Sequence, residues 1–288
     1  MMSLFYLLPV FVSRPGIPFP SVVQRFASER VECSQGRLIS YRLYIPKTDG
    51  CGKLPLLIWF HGMGEAGLDN RQQLSWLELV FGDGTTNKDI PCYVVAVQTP
   101  AKRYGWFGNL EVDPLKTVEV VDQHVCDVHA IDTDRVYLAG ISQGAVAAWR
   151  YARRRPTRYA AVLLLGMNAS VRVSKSFGRG AIWAFQSVAD GTSRVEAVRA
   201  FVHQLNQRDV NAQATIIMSP DHDCWTIAFR RYHAFAWLLQ HRRLAPPGAD
   251  VQGQRLVWVV VTLSLIVLCI LGASSEECLM NSSDQPES

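Results

Sequence analysis

Charge is scarce in this 288-residue sequence and neither sign dominates: Asp, Glu, Lys and Arg make up 19%, with 29 basic residues against 25 acidic. A net charge of +4, evenly spread, lacks the basic footprint of nucleic-acid binding, so no nucleic-acid partner is expected. Internal repeats are absent, and Gly and Pro follow no period, which excludes solenoid and collagen-like architectures. None of Cys33, Cys51, Cys92, Cys126, Cys224, Cys269 and Cys278 forms a C-x-x-C pair. That scatter supports neither a zinc knuckle nor a disulfide framework, and the odd count leaves a thiol unpaired in a monomer. With 49% hydrophobic residues, disorder is excluded too. What remains is chain enough for a full core, in one large domain or two small ones.

One long apolar run stands apart. Leu256 to Ala273 reads LVWVVVTLSLIVLCILGA, uncharged and without a polar face. At about 1.5 Å per residue it approaches the roughly 30 Å of a bilayer core. A single-pass transmembrane helix over 256–273 is therefore expected, after a linker (244–255, with Pro246, Pro247 and Gly248) and before a polar tail (274–288). His241, Arg242, Arg243 and Arg255 precede it and Glu276, Glu277 and Asp284 follow, which predicts the preceding domain on the cytoplasmic side. Residues 1–26, opening MMSLFYLLPVFVSRPG, stay open between a signal peptide, a short strand and an interfacial segment. No Lys or Arg precedes the apolar stretch, no clean small-x-small site follows it, and Pro9 interrupts it. A signal peptide would instead export the domain; only then would Asn168-Ala169-Ser170 and Asn281-Ser282-Ser283 matter as glycosylation acceptors.

Between these ends, apolar runs alternate with helical patterns. Gly36 to Ile45 alternates like a half-buried strand. Leu56–Phe60, Tyr93–Val97, Arg135–Ala139, Ala161–Leu165, Ile182–Phe185 and Ala214–Met218 read as strands, most of them covered on both faces. Val118, Val121, Val125 and Val128 mark an amphipathic helix, and further helices are expected near 143–154, 195–207 and 235–239. This order predicts an α/β domain over 27–243, a mostly parallel sheet with helices on both faces.

Gly140-Ile141-Ser142-Gln143-Gly144 fits G-x-S-x-G directly after the RVYLA strand and before the AVAAWRYA helix. A nucleophile elbow needs that context, because a strained turn flanked by glycine lifts the hydroxyl above the sheet edge. The helix N-terminus and the Gln143 amide then face a developing oxyanion. A serine needs a base, and the base needs an orienting carboxylate. Asp190, after the IWAF strand, and His222, after the ATIIM strand, stand in the required order on loops that follow strands. His203, His233, His241 and Asp209 are weaker rivals, lying in helices, beyond the last strand or in a helix-to-strand turn. His61-Gly62-Met63-Gly64 follows the LLIWF strand, which makes the Met63 amide the candidate second oxyanion donor. Trp106, Phe107 and Trp225 are candidates for an aromatic substrate wall.

The segments PLLIWFHGMGEAGLDN, DTDRVYLAGISQGAVAAWRYA and DHDCWTIAF resemble the α/β-hydrolases, in particular small esterases and peptidases near the polyhydroxybutyrate-depolymerase and feruloyl-esterase branch, often labelled phospholipase/carboxylesterase-like. The resemblance covers about 27–243, with HDCWT its most specific run. It implies the α/β-hydrolase fold, Ser142 as nucleophile, Asp190 as acid, His222 as base, and Trp225 beside the site. Glu65, Asp69 and Asn70 match the loop after the H-G turn. Three positions depart from relatives: Gly144-Ala145 replaces two glycines, Gln186-Ser187 stands where the strand before the acid usually ends in His-Gly, and Ser219-Pro220 precedes the histidine where glycine is common.

The function expected is cleavage of carboxylic esters through an acyl-enzyme, with no metal or cofactor. A peptidase with the same triad, or a membrane-tethered binding module without catalysis, are the alternatives. Only 48 positions separate Ser142 from Asp190 and 32 separate Asp190 from His222, which leaves no room for a large lid. A small ester or acyl substrate in an open cleft is therefore expected.

Overall fold

The computed structural model describes residues 21–47, 52–82, 89–100, 105–107, 113–167, 180–191 and 195–243. The N-terminal apolar stretch, the run 256–273 with its linker and tail, Asn168 and Asn281 lie outside them. Among the described residues no helix is long and apolar enough to cross a membrane. In chain order the elements are β1 (Ala27–Glu32), β2 (Leu38–Tyr44), β3 (Leu54–Phe60), α1 (Glu78–Phe81), β4 (Tyr93–Val97), α2 (Pro114–Val128), β5 (Ile131–Ile141), α3 (Gln143–Ala152), β6 (Ala161–Leu165), β7 (Ala181–Ser187), α4 (Val195–Asn206), β8 (Ala212–Ile217), α5 (Trp225–Arg230) and α6 (Ala234–Leu239). Short 3-10 turns cover Ser21–Arg25, Met63–Glu65, Gln72–Leu77 and Gly105–Phe107.

The strands form one sheet in the order β1-β2-β4-β3-β5-β6-β7-β8. β2 pairs antiparallel with β1 and β4, and every other pairing is parallel. The continuous apolar runs are continuous because side chains leave the sheet alternately and both faces are covered. On one face Leu56, Ile58 and Phe60 of β3 and Val136 and Leu138 of β5 pack with Leu115, Val118, Val121 and Val125 of α2, with α3, and with Phe201 and Leu205 of α4. On the other, Leu57, Trp59, Tyr137, Ala139 and Ile141 pack with Phe81 of α1 and with α5 and α6. α2 starts where the sequence signals a start: the Asp113 carboxylate accepts the Leu115 N–H, and Pro114 occupies the first turn, where its missing N–H costs nothing.

Two features differ from the sequence expectation, and a third adds to it. The first strand, ASERVE, carries too few apolar residues to announce itself; it is a charged edge strand held only by β2. Packing also starts earlier than residue 27, since Val22 and Phe26 are buried and Phe26 stacks on Tyr44 and Phe81. Finally, Arg242 and Arg243, counted above as charges flanking an apolar run, are tied into this unit. Arg242 pairs with Asp132 at 3.1 Å and Arg243 with Asp134 at 2.6 Å, while the Arg243 N–H donates to the Asp134 carbonyl.

Candidate active site

β5 lies in the middle of the sheet, between β3 and β6, and Ser142 stands at the joint where it ends and α3 begins. Its backbone sits at φ +51°, ψ −120°, a strained conformation for a residue with a side chain. The neighbourhood enforces it. The Ser142 N–H donates to the Leu165 carbonyl of β6 at 2.7 Å. A Cβ on Gly140 would lie 2.3 Å from the Gly144 carbonyl oxygen, and one on Gly144 would lie 2.2 Å from that of Phe60. Only bare backbone lets strand, turn and helix close this tightly. Ala145, where relatives carry a second glycine, is buried without displacing the turn.

β7 and β8 deliver the other two groups. Asp190 ends the turn after β7, its side chain fully buried, and His222 lies in the loop after β8. His222 Nδ1 meets Asp190 Oδ2 at 2.6 Å, and His222 Nε2 meets Ser142 Oγ at 2.8 Å. The three residues thus form one hydrogen-bonded chain from a buried carboxylate to a half-buried hydroxyl. Gly166, at φ +64°, makes room for the imidazole: a Cβ there would lie 3.0 Å from His222 Cε1. The flanking acids serve the loop itself. Asp221 accepts from Ser219 Oγ at 2.7 Å, and Asp223 accepts from the Thr226 N–H and hydroxyl at the start of α5. The rival histidines sit elsewhere: His203 of α4 bonds Gln207 just beyond the helix, His241 bonds the Trp237 carbonyl, and His233 precedes α6.

The donors proposed for an oxyanion open two helical turns. Gln143 is the first residue of α3 and Met63 the first of the 3-10 turn after β3, and first-turn amides have no partner within their own turn. Trp106 fastens these two segments together. Its N–H donates to Gln143 Oε1 at 3.2 Å, and its indole Nε1 donates to the His61 carbonyl at 2.8 Å. This corrects the sequence expectation, which put Trp106 on the substrate wall: the ring is 1% exposed, packed against Phe60 and His61. Phe107 beside it is half exposed. Trp225 stands edge-on to His222 at 5.2 Å, buried, with Trp76 against its other side at 5.2 Å and Glu65 Oε1 accepting the Trp76 N–H.

Sequence reading missed two side chains here. His61 served it only as a marker of a glycine turn, yet the imidazole is wholly buried. Nδ1 donates to the Gly62 carbonyl at 2.6 Å and Nε2 accepts from the Thr99 N–H at 3.0 Å, which fixes a neutral ring. Burial pulls its pKa down to about 4, against a smaller upward pull from the Gly62 carbonyl. Gln186 is the other: it is fully buried, and its Nε2 donates to Asp190 Oδ2 at 2.5 Å. A polar amide near the end of the otherwise apolar run AIWAFQS was the available signal.

Comparison with known proteins bears on the fold and on one segment of the chain. The model of the esterase PHB depolymerase family matches residues 96–230, which include the elbow, Asp190 and His222. A thermostable esterase superposes with a TM-score of 0.66 at 24% identity, over 77% of this chain and 64% of its own length, so this chain spans under two thirds of that protein. The fluorophosphonate-binding serine hydrolase F of Staphylococcus aureus superposes at 0.55 with 12% identity, over 74% of this chain and 98% of that one. A ferulic acid esterase does so at 0.55 with 14% identity, over 75% and 97%. No curated protein matches at the level of sequence. The fold is that of the α/β-hydrolases, and the matched segment is esterase-like.

Proposed function

We propose that this α/β-hydrolase-fold chain is a serine esterase that cleaves carboxylic esters of small substrates through an acyl-enzyme. The hydrogen-bonded chain Ser142–His222–Asp190 carries the reading, with 2.8 Å and 2.6 Å between its members. Ser142 Oγ attacks the acyl carbon while His222 Nε2 takes its proton, and the amides of Gln143 and Met63 hold the oxygen that becomes negative. Collapse of the tetrahedral intermediate breaks the bond to the alkoxy group, which leaves with the proton from His222. Water then enters by the same steps in reverse, releasing the acid and restoring the serine. Asp190 keeps Nδ1 protonated and stabilises the transient imidazolium. A buried carboxylate meets that need, because its charge is undiluted by water.

The strained φ of Ser142 and the glycine contacts around it support the same reading, since strain at a non-glycine residue persists where function holds it. No metal or cofactor enters the scheme. The uncharged run 256–273 supports a membrane tether for the enzyme. The test is hydrolysis of p-nitrophenyl acetate and butyrate by the full chain, wild type beside Ser142→Ala. We expect a fall of about a thousandfold or more in kcat/KM. Equal rates would refute the nucleophile. Absence of turnover in a folded wild type that a fluorophosphonate still labels would redirect the reading to peptide bonds, and absence of both to a binding module.

A further inference from the structure

The carboxylate of Asp190 is shared. Its Oδ2 accepts from His222 Nδ1 at 2.6 Å and also from Gln186 Nε2 at 2.5 Å. Gln186 lies in β7, four residues before Asp190, and the turn between them is closed by the Asp190 N–H on the Ser187 carbonyl. Both side chains are wholly buried. The Gln186 amide is only half satisfied, since its Oε1 has no hydrogen-bond partner among the described residues. An unmade bond of that kind is destabilising, so a leucine or methionine would suit the core better if packing were all that mattered. The amide's donor is thus retained at a cost, and it is spent on the one carboxylate that holds His222.

We propose that Gln186 is a positioning residue of the triad, clamping Asp190 Oδ2 toward His222 while taking part of that oxygen's hydrogen-bonding capacity. The inference rests on the esterase reading above. Two consequences follow from the sharing. The carboxylate cannot rotate away from Nδ1 without also breaking the bond to Gln186. The second donor also neutralises part of the negative charge that Asp190 presents to Nδ1. The other groups around His222 are anchored independently: Asp221 on Ser219, Asp223 on Thr226, the buried Cys224 thiol on the Phe185 carbonyl, and Glu65 behind Trp76 and Trp225. Ser142 faces Nε2 on the far side of the ring from Asp190. Among the described residues, a substitution at 186 that keeps the volume therefore acts on Nδ1 through Asp190.

The test is Gln186→Met in the full chain, with Gln186→Asn as a second variant whose shorter amide cannot span to Asp190. The His222 midpoint is read by NMR titration of its ring proton, which requires no turnover, and the acid limb of kcat/KM is followed in parallel with p-nitrophenyl butyrate. Loss of the donor should raise the midpoint by about half a unit or more in both variants. On the acid side of the midpoint that is about a threefold loss of kcat/KM, in addition to any loss on the plateau. An unchanged midpoint in either folded variant would overturn the proposal, as would failure of both to fold, which would make Gln186 a core residue alone. If wild type and Ser142→Ala prove equally active the esterase reading fails, and the NMR titration still decides the role of Gln186.

Discussion

Acid should weaken this fold through His61, by an amount that can be worked out in advance. The imidazole is wholly buried and held neutral between the Gly62 carbonyl and the Thr99 N–H, with its pKa pulled down to about 4. In the unfolded chain it titrates near 6.5. Between those values the unfolded state binds a proton that the folded state refuses, so stability is complete above about pH 6.5 and is lost as pH falls toward 4. Two and a half units correspond to about 3 kcal/mol in total, of which about 2 kcal/mol is already gone at pH 5. Carboxylates contribute their own acid losses, and a variant separates them. Gln at position 61 can still accept from the Thr99 N–H, does not titrate, and forgoes a hydrogen bond worth about 1 kcal/mol. Urea unfolding of wild type and His61→Gln at pH 7, 6 and 5 is the assay. The wild type should start the more stable by about 1 kcal/mol, lose about 2 kcal/mol relative to the variant by pH 5, and there be the less stable of the two. A gap that stays constant over this range would refute the argument and with it the neutral, buried histidine.

Two further substitutions probe how the site is assembled. Gly144→Ala would put a methyl 2.2 Å from the Phe60 carbonyl oxygen and 2.3 Å from that of His61, both backbone atoms; we expect a loss of about 2–4 kcal/mol in urea unfolding, together with most of the p-nitrophenyl butyrate turnover proposed above, and wild-type stability would show that the elbow has slack. Trp106→Phe keeps the ring and removes the indole donor to the His61 carbonyl; kcat should fall about tenfold with KM little changed, whereas a rise in KM alone would return Trp106 to the substrate wall.

The main lines of the architecture were legible because burial on both faces of a parallel sheet writes itself into uninterrupted apolar runs such as LLIWF, YVVAV and AVLLL. That Ser142, Asp190 and His222 come together was legible for a related reason: each follows such a run, and the ends of parallel strands converge on one edge of the sheet. ASERVE escaped because an edge strand with one partner carries little apolar signal. Trp106 was misjudged because an aromatic residue near a site reads alike whether it faces ligand or core; it is 1% exposed and packs against Phe60 and His61, residues distant in sequence. His61 and Gln186 escaped for the opposite reason. A polar residue is read as exposed unless something betrays its partner, and their partners, Thr99 and Asp190, are brought to them by other strands or turns.

The ion pairs between Arg242–Arg243 and Asp132–Asp134 fix more than the end of the described chain. Asp134 belongs to the strand that ends at Ser142, eight residues further on, so the polypeptide departs about 26 Å from the nucleophile, at the opposite end of β5. Within the described residues, Arg243 is thus held at the edge of the sheet opposite the one that carries the serine. A label on Arg242 or Arg243 would therefore report on the far edge of the domain and leave the reactive edge untouched.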